Sequence, residues 1–351
     1  MGNRESKNNL YLSNGYVNAE RIFESPSPIV VCFGGRGIGK TYGCLLYMYQ
    51  HNIPFVYMRR TQSQLDAVTI QALNPFNQVG IDNGFCVVSQ KMGKYPVGFF
   101  NGDVSEDGIA HPRGNPIGIG IALNTFASIR GLSAESYTHL LFDEFVEESH
   151  QRKLIKHEDT AFLNAYESLN RNRENLGKPP MKIILLSNTN TINSQILDAL
   201  DCTMDVNKMI KKGQEVRVIK NGDIELIRYL DSPISSQKRK NLIYRVTQNA
   251  DFTAMALDND FSAADFEHIK TLPLQEFNMV VSIGELTCCA HKSKNQYYII
   301  SGKKAKNRLA NTPLELKEFR KRYYYLYRAM ITGSLYYSDV HTKIEFEKIW
   351  E

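Results

Sequence analysis

Eight consecutive residues near the start of the chain have the types and spacing that bind phosphate groups. They are Gly34, Gly35, Arg36, Gly37, Ile38, Gly39, Lys40 and Thr41, and they satisfy the pattern G-x-x-x-x-G-K-[ST]. Glycines let the backbone curve around phosphates with its N–H groups directed inward. Lys40 is expected to reach the β- and γ-phosphates, and the Thr41 hydroxyl is expected to ligate Mg²⁺. The segment therefore predicts a site for a nucleotide with Mg²⁺.

An acidic pair supplies the carboxylates that such a site needs. Asp143 and Glu144 directly follow the apolar run Leu140 to Phe142. Asp143 is expected on the metal side, and Glu144 is placed to polarise a water for attack on the γ-phosphate. An isolated acidic pair could equally be a surface turn at the end of a strand. Its combination with the phosphate loop favours the catalytic interpretation.

Another polar residue follows the last candidate strand of this region. Asn188 comes two residues after the run Ile183 to Leu186. Its side chain is expected to sense the γ-phosphate or to hold the attacking water. The alternative is an Asx turn that ends the strand.

Arginines are the remaining candidates for the site, because the transition state of phosphoryl transfer is stabilised by added positive charge, often from a neighbouring subunit. Arg171 and Arg173 close a helical segment, Arg130 lies on a loop thirteen residues before Asp143, and Arg36 lies within the phosphate loop. For each of them the alternative is a surface ion pair. The residues alone leave the choice open.

Short apolar runs alternate with helical stretches through the first two hundred residues, which indicates β/α units around a parallel sheet. The candidate strands are Ile29 to Phe33, Phe55 to Met58, Ile117 to Leu123, Leu140 to Phe142 and Ile183 to Leu186. An insertion at 75–116 is expected to contain a hairpin, with a strand at Phe85 to Val88 and a turn at Phe100 to Asp103.

Three regions are predicted: a P-loop ATPase domain at 1–205, a linker or intermediate region at 206–260, and a C-terminal domain at 261–351. A turn is expected at Lys220 to Asp223. The last region shows strand-like runs at Met279 to Cys289 and Gln296 to Ile300, followed by a long helix from Leu314 to about Thr332. Its tyrosines are expected to pack at the helical spacing of the apolar residues.

The composition is that of a soluble globular protein, with 351 residues of which 42% are hydrophobic and 23% charged. No apolar stretch approaches eighteen residues and the start is polar, so neither a membrane span nor a secretory signal is expected, and a cytoplasmic location is predicted. The six cysteines lack the spacing of a zinc site or a disulfide scaffold.

Positive charge is concentrated in the second half of the chain. The net charge is +5 overall, but 206–250 holds ten basic and four acidic residues, and 285–330 holds eleven basic and three acidic. This asymmetry suggests that a polyanion contacts the C-terminal half. The densest basic set is Lys303, Lys304, Lys306, Arg308, Arg320, Lys321 and Arg322. Such residues give salt-sensitive phosphate contacts without sequence preference.

Taken together, these motifs resemble the large terminases, the viral genome-packaging ATPases, and most of all the encapsidation ATPases of small tailed phages of the phi-twenty-nine type. The resemblance covers most of the chain, but only its nucleotide motifs are specific. The matching segments are the phosphate loop, Tyr57-Met58-Arg59-Arg60, Ile129-Arg130-Gly131, Phe142-Asp143-Glu144-Phe145, Arg171-Asn172-Arg173-Glu174 and Leu186-Ser187-Asn188.

The resemblance implies a P-loop NTPase of the additional-strand, catalytic-glutamate class that packages double-stranded DNA. Such a protein works as a homo-oligomeric ring, a pentamer by resemblance, on the portal vertex of a procapsid in the host cytoplasm, with packaging RNA as a further candidate partner. It is not expected in the mature virion, and no membrane is involved. The arginine matching Arg171 acts across the subunit interface in this family, a basic residue stands at the position of Arg130, and the assignment to Arg171 could slip to Arg173.

The C-terminal half departs from the large terminases, which carry a ribonuclease-H-type nuclease there. Two-metal cleavage requires clustered carboxylates on strands, whereas the candidate strands here contain only Glu285. A degenerate nuclease fold that binds nucleic acid or the capsid is therefore expected, and nuclease activity is not. The alternatives are a terminase with an active nuclease and a nucleotide-switched adaptor that binds nucleic acid without moving it.

Overall fold

The computed structural model describes residues 9–129, 131, 134–146, 155, 157–188, 194–230, 232–238, 240–246 and 268–350. The chain forms two compact units, residues 1–262 and 263–351. In the described residues, no helix has both the length and the apolar character needed to cross a membrane.

The first unit is built on a nine-stranded sheet of mixed direction with a large parallel part. Its strands are β1 (Ile29–Gly34), β2 (Phe55–Arg59), β3 (Val87–Lys91), β4 (Val97–Val104), β5 (Ala110–Ala122), β6 (His139–Asp143), β7 (Lys182–Ser187), β8 (Val216–Ile219) and β9 (Ile224–Tyr229). Their spatial order is β3-β4-β5-β2-β6-β7-β1-β9-β8. The six strands from β5 to β9 in that order are parallel, so the mixed α/β class and the five strands read from apolar runs are confirmed.

Helices cover the sheet and connect its strands. They are α1 (Ala19–Phe23), α2 (Lys40–Gln50), α3 (Gln62–Ala67), α4 (Phe76–Asn83), α5 (Glu158–Asn170), α6 (Gln195–Ala199), α7 (Thr203–Lys211), α8 (Pro233–Lys238) and α9 (Leu242–Val246). Strands β1, β6 and β7 are buried along nearly their whole length, as expected for central strands of a parallel sheet covered on both faces.

The register of the parallel strands brings their carboxyl ends to one edge of the sheet. Phe33 lies beside Ser187, Met58 beside Phe142, and Gly34 beside Tyr229. The residues that follow β1, β2, β6, β7 and β9 must therefore lie close together. This edge is where an open parallel sheet binds its ligands.

The expected hairpin is present, but its predicted turn is wrong. Residues 100–103 lie within β4, where 101–103 pair with β5, and the chain reverses instead at 92–96 and at 105–109. Gly102 is required for close approach, because a Cβ there would lie 2.4 Å from the backbone oxygen of His111. The Asn-Gly signal of a turn was therefore misleading.

The interpretation of 206–260 as a linker or intermediate region is wrong for its first part. Strand β9 pairs in parallel with β1, and β8 pairs antiparallel with β9, so both belong to the central sheet. The predicted turn at Lys220 to Asp223 is present and joins them, with Asn221 and Gly222 at positive φ. The first compact unit extends to residue 262.

A buried ion pair holds β9 against the N-terminal helix. The two guanidinium N–H groups of Arg21, on α1, donate to the two carboxylate oxygens of Glu225, one of them at 3.1 Å. The side chain of Glu225 is only 3% exposed. The charge of Glu225 interrupts the apolar run of β9 in the sequence, and Arg21 neutralises that charge in the fold.

We expect Arg21→Ala to lower the free energy of unfolding of the first unit by about 3–5 kcal/mol, because it leaves the Glu225 charge buried and unpaired. Hydrogen exchange of the β1 and β9 amides measures this change. The matched control is Arg113→Ala, whose partner Asp103 is half exposed, and which should cost less than about 1 kcal/mol. Equal effects of the two variants would contradict the prediction. The fluorescence of the single tryptophan, Trp350, reports on the second unit and should not change.

The second unit is a five-stranded sheet packed against helices. Its strands are β10 (Phe277–Ile283), β11 (Leu286–His291), β12 (Tyr297–Ser301), β13 (Arg308–Leu309) and β14 (Leu335–Tyr337), and its helices are α10 (Pro313–Arg322), α11 (Tyr324–Ile331) and α12 (Val340–Lys348). The spatial order is β13-β10-β11-β12-β14, with β10, β11 and β12 antiparallel.

Two sequence predictions in this unit need correction. Met279 to Cys289 is not one strand, because the chain turns at Gly284, with φ +53°, between β10 and β11. The predicted helix from Leu314 is interrupted at Tyr323, which separates α10 from α11. The predicted packing holds for Phe319, Tyr323 and Leu326, which are buried in the core.

Candidate nucleotide site

The phosphate loop joins β1 to α2, and its geometry follows from its glycines. Gly37 and Gly39 have φ of +68° and +88°, values that other residues adopt at a cost. Lys40 is the first residue of α2, and its side chain folds back over the loop. Its Nζ donates to the carbonyl oxygens of Gly34 at 2.7 Å and Gly35 at 2.8 Å.

The ammonium group of Lys40 is buried, and burial lowers its pKa to about 8 against the opposing attraction of Asp143. A buried cation held over a loop of backbone N–H groups attracts a multiply charged anion. Asn188, which directly follows β7, lies beside this ammonium group, and its Oδ1 accepts a hydrogen bond from Lys40 Nζ at 3.3 Å. The structure thus brings Asn188 to the position that the sequence predicted, beside the phosphate loop.

Oxygen ligands suited to Mg²⁺ converge between α2 and β6. The Thr41 hydroxyl donates to Asp143 Oδ1 at 2.9 Å. The other carboxylate oxygen of Asp143 accepts from the Tyr57 hydroxyl at 2.9 Å. Because a hydroxyl and a carboxylate are ligands that Mg²⁺ prefers, the pair of Thr41 and Asp143 fits the ion that the sequence predicted.

Glu144 is turned into the cleft by the backbone that follows β6. It has φ +54°, a left-handed conformation that costs about 1–3 kcal/mol at a non-glycine residue. The next residue, Phe145, is fully buried against Phe33 and Phe142, and its N–H donates to the carbonyl of Leu186. Burial of Phe145 therefore directs the Glu144 side chain, which is 51% exposed, toward solvent in the cleft.

Arg59, at the end of β2, contacts both carboxylates, although the motifs in the sequence did not identify it as a site residue. Its two terminal nitrogens donate to Asp143 Oδ2 at 3.0 Å and to Glu144 Oε2 at 2.6 Å. Burial lowers the pKa of Arg59, but Tyr57, Asp143 and Glu144 outweigh it, so the net shift is upward. The signal in the sequence was its position directly after the candidate strand Phe55 to Met58.

The cleft enclosed by these residues has a volume of about 380 Å³. Its walls include Arg36, Gly37, Lys40, Thr41, Glu144 and Asn188. A second cavity of about 570 Å³ adjoins it and shares Gly37, Gly39 and Tyr42. The walls of the second cavity are more apolar, with Tyr16, Val17 and Leu46 on one side and Asp82 and Asn83 on the other.

The predicted arginines lie in different places. Arg171 follows α5 and pairs with Glu135 at 3.1 Å, and its side chain is 37% exposed. Glu135 precedes β6, and Met181, which bonds to Asn170, precedes β7. Arg171 therefore lies at the amino edge of the sheet. The five residues of β6 separate this edge from Asp143 by about 16 Å.

Arg173 supports the loops at the same amino edge. Its Nε donates to the carbonyl of Pro179 at 3.0 Å, and its NH1 donates to the carbonyls of Glu135 and Tyr137. These contacts brace the entries to β6 and β7. Arg130 lies outside the described residues, and Arg36 lines the phosphate cleft as its place in the loop requires.

The chain is similar in sequence to DNA packaging proteins of bacteriophages. The family model described as Podovirus DNA encapsidation protein (Gp16) matches residues 10–305. The "DNA packaging protein" of Bacillus phage phi29 and that of Bacillus phage PZA are each 25% identical over 253 residues, which are 70% of this chain and 66% of theirs. The chain therefore spans about two thirds of the length of these curated relatives.

Two solved structures share the fold over nearly the whole chain. A chain of the bacteriophage phi-29 viral genome packaging motor assembly is 18% identical with a TM-score of 0.64, covering 95% of this chain and 98% of its own. The phi-28 gp11 DNA packaging motor is 18% identical with a TM-score of 0.61, covering 96% and 97%. With a family model that matches most of its length, this chain belongs to the podovirus DNA encapsidation protein family.

Proposed function

We propose that this chain hydrolyses ATP as one subunit of a ring motor that moves double-stranded DNA into a viral procapsid at the portal vertex. The observation that carries the proposal is the convergence of Lys40, Thr41, Asp143 and Glu144 in one cleft at the carboxyl edge of the sheet. Membership of the encapsidation family, with relatives named as DNA packaging proteins, supports the choice of DNA as the substrate that is moved.

The chemistry follows from the positions of these side chains. Lys40 binds the β- and γ-phosphates, while Thr41 and Asp143 would hold Mg²⁺, which when bound neutralises charge on the phosphate oxygens. Glu144 takes a proton from a water molecule while the oxygen of that water bonds to the γ-phosphorus. The bond to the bridging oxygen breaks, which gives ADP and phosphate. The amide of Asn188, held next to Lys40, orients the γ-phosphate or the water.

The adjoining cavity is assigned to the base of the nucleotide. A Cβ on Gly39 would lie 2.9 Å from the ring of Tyr16, so this aromatic ring reaches the phosphate loop itself. Apolar side chains at Val17 and Leu46 and polar ones at Asp82 and Asn83 give the mixed lining that a purine requires. Continuity of this cavity with the phosphate cleft supports binding of a whole nucleotide.

The placement of Arg171 supports assembly into a ring. It cannot serve the nucleotide of its own subunit from the amino edge of the sheet, but a head-to-tail contact between subunits would bring it to a neighbour's cleft. Arg173 is committed to backbone contacts within its own subunit. We therefore assign to Arg171 the role of stabilising the transition state. The proposed number of subunits, five, rests on the family resemblance alone.

The second unit is proposed to bind nucleic acid, DNA or packaging RNA, or the capsid, with a degenerate ribonuclease-H-type fold. Lys303, Lys306, Arg308, Arg320, Lys321 and Arg322 are exposed on it. Glu285 lies in the turn after β10, is 84% exposed and pairs with Lys304. Among the residues that the structure describes, no group of three or more His, Cys, Asp or Glu side chains is arranged to hold a metal.

The test is steady-state turnover of ATP with portal-bearing procapsids, with and without double-stranded DNA of arbitrary sequence, at low and moderate salt. DNA is expected to stimulate turnover, and the stimulation should weaken as salt rises because phosphate contacts release counterions. The Lys40→Ala variant, which lacks the phosphate-binding ammonium, is the inactive control. Turnover that DNA changes at neither salt concentration would contradict the translocase and favour the nucleotide-switched adaptor.

A further inference from the structure

The segment that follows β9 lies against the phosphate loop. Because β9 runs parallel to β1, with Tyr229 beside Gly34, the chain leaves β9 at the edge where the nucleotide cleft opens. Two contacts hold the segment there. The hydroxyl of Ser232 donates to the carbonyl of Gly15 at 3.2 Å, and the Tyr11 hydroxyl donates to the carbonyl of Leu230. Helix α8 begins immediately afterwards, at Pro233.

Lys238, the last residue of α8, reaches the loop with its side chain. Its Nζ donates to the carbonyl oxygen of Arg36. A Cβ on Gly37 would lie 2.3 Å from this nitrogen and 3.3 Å from Lys238 Cε. The end of the Lys238 side chain therefore lies directly against the backbone of the loop at Gly37. The contact joins α8 to the loop at Arg36 and Gly37, two residues that line the phosphate cleft.

The charge of Lys238 has no acidic partner in the part of the chain that the structure describes. Its contact there is a neutral carbonyl, and its half-buried position lowers its pKa through desolvation. A cation that is partly removed from water is stabilised by a nearby anion. Burial is the main cause of the lowered pKa of Lys40, and the charge of Lys238 lowers it further, so the two ammonium groups lie near enough to repel each other. The chemical group that satisfies both is a polyphosphate.

We propose that Lys238 is a second phosphate-binding lysine of the nucleotide site, supplied by the same subunit from α8. Binding of ATP draws its ammonium from the Arg36 carbonyl to the phosphates beyond the α-phosphate. Nucleotide occupancy then holds α8, on the chain segment that leads to the second unit, against the loop. This inference rests on the proposed nucleotide site and adds to it a residue outside the phosphate-loop motif.

Equilibrium binding tests the assignment with Lys238→Ala and its matched control, Lys240→Ala, which removes an exposed lysine two residues along the chain. We expect Lys238→Ala to weaken ATP binding about tenfold, as for one lost charge-assisted contact, and to leave AMP binding unchanged in competition assays. Lys240→Ala should match the unaltered chain for both nucleotides. Equal ATP affinities for the two variants would overturn the inference.

A second measurement avoids any dependence on the folding of the variant. Lysine acetylation of the unaltered chain is followed residue by residue by mass spectrometry. ATP should slow the modification of Lys238 and not that of Lys240, whereas AMP should protect neither. An unchanged rate at Lys238 with saturating ATP would also overturn the inference. If the unaltered chain binds no ATP at all, the proposed function itself fails, and the two failures are thereby distinguished.

Discussion

Replacing Glu144 with glutamine is expected to lower the rate of ATP hydrolysis by a factor of about 10²–10⁴, the usual contribution of a positioned general base. The amide has nearly the same shape, so the buried Phe145 should still direct it into the cleft. It accepts no proton from water, however. Binding of ATP should persist, because Lys40, Thr41 and the loop are unchanged. Single-turnover hydrolysis and equilibrium binding, measured on the same preparation, separate the two effects.

The matched control is Glu106→Gln, which makes the same chemical change at an exposed residue in the turn between β4 and β5. It should leave hydrolysis and binding unaltered. If Glu144→Gln retained more than about a tenth of the hydrolysis rate, general-base catalysis by Glu144 would be excluded. Loss of ATP binding together with hydrolysis would instead assign Glu144 to binding the nucleotide.

The central part of this site could be predicted because each of its residues follows a recognisable apolar strand. Ile29 to Phe33, Leu140 to Phe142 and Ile183 to Leu186 are uninterrupted runs that are buried on both faces, and parallel strands end at one edge. The positions of Lys40, Asp143 and Asn188 follow from that rule alone. Their contacts in the structure agree with it.

Strand β9 could not be found in the same way, because its apolar run is interrupted by charged residues and the charge of Glu225 is compensated by a distant partner. It is buried along its whole length although it contains Glu225 and Arg228. The partner of Glu225 is Arg21, more than two hundred residues away in the sequence. A local pattern carries no information about such a pair. Lys238 was missed for a related reason, since its place beside the loop depends on the position of β9.

The role of Arg59 depends on the order of strands, which a single sequence leaves undetermined. β2 could lie on either side of the acidic strand or be separated from it. Only the pairing of Met58 with Phe142 brings Arg59 to Asp143 and Glu144. Likewise, the helical segment before Arg171 could have ended at either edge of the sheet. The hydrogen bond that the Met181 N–H donates to Asn170 Oδ1 fixes it at the amino edge.

Replacing Arg171 with alanine is expected to lower ATP hydrolysis by the assembled ring by a factor of about 10³–10⁵, the contribution of an arginine supplied to the transition state from a neighbour. The free energy of unfolding of the Arg171→Ala subunit should hardly change. The pair of Arg171 with Glu135 is on the surface and is worth at most about 1 kcal/mol. Arg173→Ala, which frees the backbone carbonyls of Pro179 and Glu135, is expected to act mainly on stability.

Mixed rings decide whether Arg171 acts between subunits. Subunits with Glu144→Gln still offer Arg171, and subunits with Arg171→Ala still offer Glu144. In a head-to-tail ring assembled from equal amounts, about a quarter of the interfaces join an intact Glu144 to a neighbour's intact Arg171. Hydrolysis should therefore return in the mixture, although neither variant is active alone.

The dependence of the recovered hydrolysis on the mixing ratio also tests whether each active site is shared by two subunits. The recovered hydrolysis should rise and fall with the product of the two subunit fractions, with its maximum at equal amounts, because each active interface needs one subunit of each kind. A ring of double-variant subunits, carrying both substitutions, should stay inactive when mixed with either single variant. If no hydrolysis returned at any ratio, Arg171 would not act across the subunit interface, and the loss of activity in Arg171→Ala would be assigned to folding or assembly.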